Sequence, residues 1–184
     1  MADLERKDKC YVILMVDDDQ EDFHLVQEAL ELKHLKVDLY WAEDGYEAMN
    51  FLARRGVYKD APTPDLILLD LNMPGKNGFE VLRDLKAHPK YRKIPVVILT
   101  SSRDQKSVSR GYNIGASSFM LKPMSFDELA DAMEKADIPG TEHSDHQPHQ
   151  GITQPVLAAR EWKDGRLVLR KGEAPLHGSA QAGS

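Results

Sequence analysis

The chain has 184 residues, 41% of them hydrophobic and 29% charged, which is enough for one folded domain and an additional segment. A net charge of −6 gives no sign of a nucleic-acid binder, and the single cysteine, Cys10, has no internal disulfide partner, which suits a reducing compartment and a cytoplasmic location. The first apolar run, Tyr11 to Val16, is too short for a signal sequence or a membrane span, so no membrane association is expected.

That run, YVILMV, is continuously apolar, the pattern of a strand buried on both faces. Cys10, just before it, reads as a small apolar residue. Phe23, Val26 and Leu30 follow at helical spacing. VDLYWA then alternates, with Val37, Leu39 and Trp41 on one side, and predicts a half-exposed edge strand. Ala48, Met49 and Leu52 mark a second helix that ends near Gly56. DLILL, Asp65 to Leu69, predicts a third strand after the proline-rich APTP, and Phe79, Leu82 and Leu85 a third helix closed by HPKYRKIP. VVILT, Val96 to Thr100, reads as a fourth strand. A short helix is expected around Lys106 to Ile114, a fifth strand within SSFMLKP, and a last helix through Phe126, Leu129 and Met133.

Strand alternates with helix five times, which predicts an α/β fold: a doubly wound, five-stranded parallel sheet with right-handed crossovers. Placing the long apolar runs centrally and the alternating second strand at an edge gives the flavodoxin-like order 2-1-3-4-5. Residues 1–10 form an N-terminal segment and 11–138 the domain. Beyond Ile138, PGTEHSDHQPHQG reads as a linker, so 139–184 are expected to be a linker and C-terminal extension. Within it a hairpin over 155–171 would turn at Lys163-Asp164-Gly165, with disorder elsewhere. His143, His146 and His149 recur at three-residue spacing, but a proline-containing linker is poor ligand geometry and no cysteine joins them, so no metal is expected there.

In an open parallel sheet, ligands bind beyond the carboxyl ends of the strands where strand order reverses, here between the first and third strands. Asp17 and Asp18 directly follow the first strand and Asp70 the third. The fourth strand ends at Thr100 and the fifth runs into Lys122. Three carboxylates, a hydroxyl and an ammonium therefore converge on one end of the sheet. Carboxylates this close repel one another unless a cation sits between them, and an all-oxygen set suits a hard divalent ion such as Mg²⁺. Lysine and threonine supply the donors a phosphoryl group needs. A carboxylate is itself a nucleophile towards phosphorus, with metal and ammonium neutralising the charge on the transferring oxygens. Asp19, with Asp22 three residues on, reads instead as an N-cap opening the first helix. In isolation Thr100 is a common strand end, Lys122 a solvated lysine and Phe119 a core aromatic.

VDDD, LILLDLNMPGKNGFEVL, PVVILTSS and FMLKP, in this order and spacing, resemble the receiver domain of two-component response regulators, over roughly Tyr11 to Ala136. The resemblance implies that Asp70 is the phosphoacceptor, supplied by the phosphohistidine of a sensor histidine kinase. It implies that Asp18 and Asp70 bind Mg²⁺ directly, that Asp17 acts largely through water, and that the backbone carbonyl of Asn72 is a further ligand. Lys122 would pair with the phosphoryl oxygens, and the peptide before Pro123 would be cis. Thr100 would swing in to the phosphoryl group, and Phe119 would be the switch aromatic that turns inward with it. RRGVYKDAPTPDLILLDLNMPGKNG, HPKYRKIPVVILTSS and Tyr112 further resemble single-domain regulators associated with phytochrome-type sensor kinases.

The resulting expectation is a phosphoprotein, not an enzyme, that signals through altered protein contacts at the face of the fourth helix, fifth strand and fifth helix. A homodimer through that face is an expectation of the resemblance, and the downstream protein partner is not specified. The 48 residues after Ala136 carry 5 Lys/Arg against 6 Asp/Glu, too few and too acidic for a winged-helix output, so neither a DNA-binding domain nor a nucleic-acid partner is expected. A phosphorelay intermediate or phosphate sink would use identical residues, and that alternative stays open. An aspartyl-phosphate phosphatase of haloacid dehalogenase type needs a second acid two residues after its nucleophile; this chain has Asn72 there.

Overall fold

Five of the six residues of β1 (Tyr11–Val16) are buried, and they feed two different cores. Successive strand side chains point to opposite faces. Ile13 and Met15 therefore enter one cluster, Leu14 and Val16 the other. The same division runs through β3 (Leu66–Asp70), where Leu66 and Leu68 face one side and Ile67 and Leu69 the other, and through β4 (Val96–Thr100). This double burial is why these runs are apolar without interruption. The computed structural model describes residues 10–32, 37–102, 104–135, 160–163 and 166–169.

Helices cover both faces. α1 (Gln20–Leu32) brings Phe23, Val26 and Leu30, and α5 (Phe126–Lys135) brings Leu129, Ala132 and Met133, to the cluster on the Ile13 side. On the Leu14 side lie Ala48, Phe51 and Leu52 of α2 (Gly45–Leu52) and Val81, Leu82 and Leu85 of α3 (Gly78–Ala87). α4 (Gln105–Ile114) adds the partly buried Ile114 to that side. The helix starts are set by side-chain caps. Asn77 and Glu80 form a reciprocal capping box at α3, and Asp104 accepts from Ser107 N at 3.1 Å at α4. Ser125 and Glu128 exchange hydrogen bonds with each other's backbone N–H at α5, both at 3.2 Å.

β1, β2 (Val37–Ala42), β3, β4 and β5 (Ser118–Leu121) are parallel, in the order 2-1-3-4-5. Leu14 sits beside Tyr40 on one flank and Ile67 on the other, and Leu69 sits beside Ile98. Beyond β2 the sheet continues. β6 (Arg160–Lys163) meets it in parallel at one register pair, Tyr40 with Arg160, and β7 (Arg166–Leu169) runs antiparallel to β6. The remainder of the expected linker and extension, including His143, His146 and His149, lies outside the described residues, as do residues 1–9. Among the described residues, no helix is long and apolar enough to cross a membrane.

Three local expectations need correction. β2 is not half-exposed: Tyr40 and Ala42 are buried along with Val37 and Leu39, and Trp41 is only partly covered. The Tyr40 ring packs against Phe51, with centroids 5.2 Å apart, so α2 covers the face that alternation assigned to solvent. The second helix stops at Leu52, not near Gly56; Arg54 and Gly56 take positive φ, and a 3₁₀ turn covers Gly56–Tyr58. Cys10 is exposed, because it precedes the first buried position of β1.

Candidate functional site

The site is built from the carboxyl ends of neighbouring strands. Asp17 follows β1, Asp70 is the last residue of β3, Thr100 the last of β4, and Lys122 follows β5. Asp17 N donates to the Ala42 carbonyl at 3.1 Å, which extends the β1–β2 ladder by one residue. Its own carbonyl accepts from Trp41 Nε1 at 2.7 Å, so the backbone here is held from two directions. The Asp70 carboxylate is aimed by the turn after it: Asn72 N donates to Asp70 Oδ1 at 3.2 Å. α3 then begins hard against that turn. A Cβ on Gly78 would lie 2.3 Å from the Asp70 carbonyl oxygen, so only glycine permits this approach.

Oxygens of Asp17, Asp18 and Asp70 all lie within 4.8 Å of one another, the first and last buried and Asp18 exposed. Lys122 Nζ enters this group, 2.6 Å from Asp17 Oδ2, 2.7 Å from Asp22 Oδ2 and 3.4 Å from Asp70 Oδ2. Burial pushes the Asp17 carboxyl up to about 6, with Lys122 and the Asp19 N–H acting against the rise. Burial also raises Asp70, again opposed by Lys122. For Lys122 burial works against the ammonium, yet the Asp17 and Asp22 carboxylates overcome it and hold its pKa above the ordinary lysine value.

The cluster has an excess of negative charge that a single ammonium does not neutralise. Asp17 Oδ1 accepts from Asp19 N at 2.9 Å. Asp17 Oδ2 is buried, and the Lys122 ammonium faces it at 2.6 Å. Three carboxylates this close, two of them buried, with one ammonium among them, fit a hard divalent cation, which prefers oxygen ligands.

Thr100 Oγ1 donates to the Ser102 carbonyl at 3.1 Å and accepts from Ser102 N at 3.2 Å, so its hydroxyl is engaged within its own loop. Asn72 is exposed at the lip of the site. The Lys122–Pro123 peptide is cis. Phe119 stands apart from the carboxylates, partly buried on β5, with its ring 4.9 Å from that of Tyr112. Gly111 makes room for that ring: a Cβ there would lie 2.3 Å from Phe119 Cζ.

The fold thus gathers Asp17, Asp18, Asp70 and Lys122 tightly, with Thr100 on the adjacent strand end and Phe119 outside the acidic group. Sequence reasoning missed Asp22, which it treated as a helix-capping acid. Asp19 does cap α1, accepting from Glu21 N at 2.8 Å, whereas Asp22 turns to Lys122. The available signal was position: Asp22 lies in the first turn of α1, which starts directly beyond the carboxyl end of β1.

The family model of the response regulator receiver domain matches residues 13–134. The response regulator Rcp1 of Synechocystis sp. is 41% identical over 118 residues, 64% of this chain and 80% of Rcp1. The structure of its Mn²⁺-bound form superposes with a TM-score of 0.61 at 36% identity, over 76% of this chain and 99% of Rcp1. The bacteriophytochrome response regulator AtBRR gives a TM-score of 0.64 at 36% identity, over 71% of this chain and 94% of AtBRR. The phosphorylated cyanobacterial phytochrome response regulator RcpA gives 0.61 at 35%, over 71% and 91%. With its sheet order, its acidic strand ends and the matched span in agreement, the chain belongs to the response regulator receiver domain family.

Proposed function

We propose that Asp70 is the phosphoacceptor of this receiver and that Mg²⁺ supports the transfer. The observation that carries the reading is the convergence of three carboxylates within 4.8 Å, with the Lys122 ammonium set between Asp17 and Asp70. In the transfer, a carboxylate oxygen of Asp70 forms a bond to phosphorus. The P–N bond of a phosphohistidine breaks, and its electron pair stays on the imidazole nitrogen. Mg²⁺ held at this site would neutralise charge on the phosphoryl oxygens. Asp18, Asp70 and the Asn72 carbonyl would hold it directly, and Asp17 largely through water. Lys122 contributes the ammonium that pairs with the phosphoryl group, and Thr100 Oγ1 a hydroxyl that leaves Ser102 to join it.

The donor is read as a sensor histidine kinase of phytochrome type, supported by the likeness to Rcp1, AtBRR and RcpA. The output is read as an altered protein contact, including self-association, at the α4–β5–α5 face around Phe119, in a cytoplasmic protein without a nucleic-acid or membrane partner. Enzymatic hydrolysis of a small phosphate ester is not part of the reading, because Asn72 supplies an amide where a general acid would be needed. The test is kinase-dependent labelling. Asp70→Asn, which keeps the side chain's size, should fold normally and take no phosphoryl group from an autophosphorylated sensor kinase; full labelling of that variant would overturn the assignment.

A further inference from the structure

We propose that Asp22 restrains Lys122: it holds the ammonium back from Asp70 and competes with a phosphoryl group for it. The proposal rests on the reading of Asp70 as phosphoacceptor. Lys122 Nζ lies 2.7 Å from Asp22 Oδ2 and 2.6 Å from Asp17 Oδ2, but 3.4 Å from Asp70 Oδ2. In this state the ammonium is thus held more closely by the two flanking acids than by the residue it is to serve.

The two flanking acids are not equivalent. Asp17 belongs to the trio of carboxylates suited to a divalent ion, and a cation seated there draws on its charge. Asp22 is not in that trio, so its charge stays directed at Lys122 with or without a metal. It sits in the first turn of α1, next to the buried Phe23, which stacks on Trp41 with ring centroids 5.3 Å apart. The Lys122 and Asp22 side chains are only 15% and 17% exposed, so solvent screens this pair less than a surface ion pair. A phosphoryl group on Asp70 brings a second anion to the same ammonium. Lys122 must then be shared or surrendered by Asp22, and the Asp22 charge lowers the net attraction available to the phosphoryl oxygens. An ordinary role for Asp22 would be an acid favouring the helix N-terminus, which requires nothing of Lys122.

The experiment uses the full chain and beryllofluoride, a phosphoryl mimic, titrated calorimetrically at saturating Mg²⁺. Asp22→Asn should bind it about fivefold more tightly than the unaltered protein, and Asp22→Ala should do the same. Asp22→Glu should return the affinity to the starting value. In a Lys122→Ala background, Asp22→Asn should shift the affinity by less than about twofold, since the competitor's target is gone. Unchanged or weaker binding by both neutral variants, or an equal gain with and without Lys122, would overturn the proposal while leaving Asp70 in place. Failure of the unaltered protein to bind beryllofluoride at all would overturn the reading of Asp70 itself.

Discussion

A carboxyl group that folds into a dry place without full compensation leaves a pH signature, and Asp17 is that group here. Its folded-state value of about 6 stands above the ordinary 3.8, so the folded protein holds this proton more tightly than the unfolded chain does. The resulting stability is complete below the unfolded value and is lost as pH rises through about 6. The metal-free protein should therefore lose stability over that window, with Asp70 contributing in the same direction. A divalent cation needs the ionised carboxylates, so Mg²⁺ affinity should fall by up to about tenfold per pH unit as pH drops below about 6. Trp41, bonded to the Asp17 carbonyl, is a built-in fluorescent reporter for the titration. An Mg²⁺ affinity that stays flat from neutral pH to about 5 would contradict the assignment. Asp17, Asp18 and Asp70 were legible because strand ends and acidic residues coincide in the sequence. Asp22 was not: a capping reading is local, whereas its partner Lys122 arrives only through the pairing of β5 with β4.

At the scale of elements, helix periodicity placed α1, α3 and α5 well, because each buries one stripe against a sheet that is apolar on both faces, whereas α4 was expected only as a short helix between two strands. The strand at Val37–Ala42 was misread for a physical reason. Tyr40 carries a hydroxyl on a large apolar ring, and a pattern that scores it as outward-facing overlooks the area that Phe51 covers. α4 and β5 are joined by a similarly close fit. Gly111 leaves space for the Phe119 ring, and an added methyl would also meet Ile98 Cδ1 at 3.0 Å. Alanine is the better helix former by about 1 kcal/mol, but overpacking costs about 1–3 kcal/mol, so the steric effect wins. Gly111→Ala should lower stability by about 1 kcal/mol in denaturant unfolding and shift the Phe119 ring resonances. A raised unfolding midpoint with unmoved Phe119 resonances would show that the α4–β5 contact is looser than described.

For the whole molecule, the five parallel strands and their helices carry both cores, while β6 touches β2 at one register pair. Removal of residues 139–184 should therefore leave a folded receiver that still accepts phosphoryl groups, with a newly open β2 edge as the main liability. Loss of cooperative unfolding in that truncated chain would mean that the C-terminal strands are integral to the sheet. The overall order of strands was readable because burial on both faces marks central strands. The continuation of the sheet beyond β2 was not, since a short hairpin bears no code for the edge it joins.

Signalling by this receiver requires a phosphoryl group on one carboxylate with a cation beside it. Locating the modified residue by peptide mass mapping, after incubation with autophosphorylated histidine kinases with and without a chelator, tests this most directly. Modification is expected at Asp70, dependent on Mg²⁺; modification at another residue, or transfer to Asp70 undiminished when divalent cations are removed, would contradict the assignment.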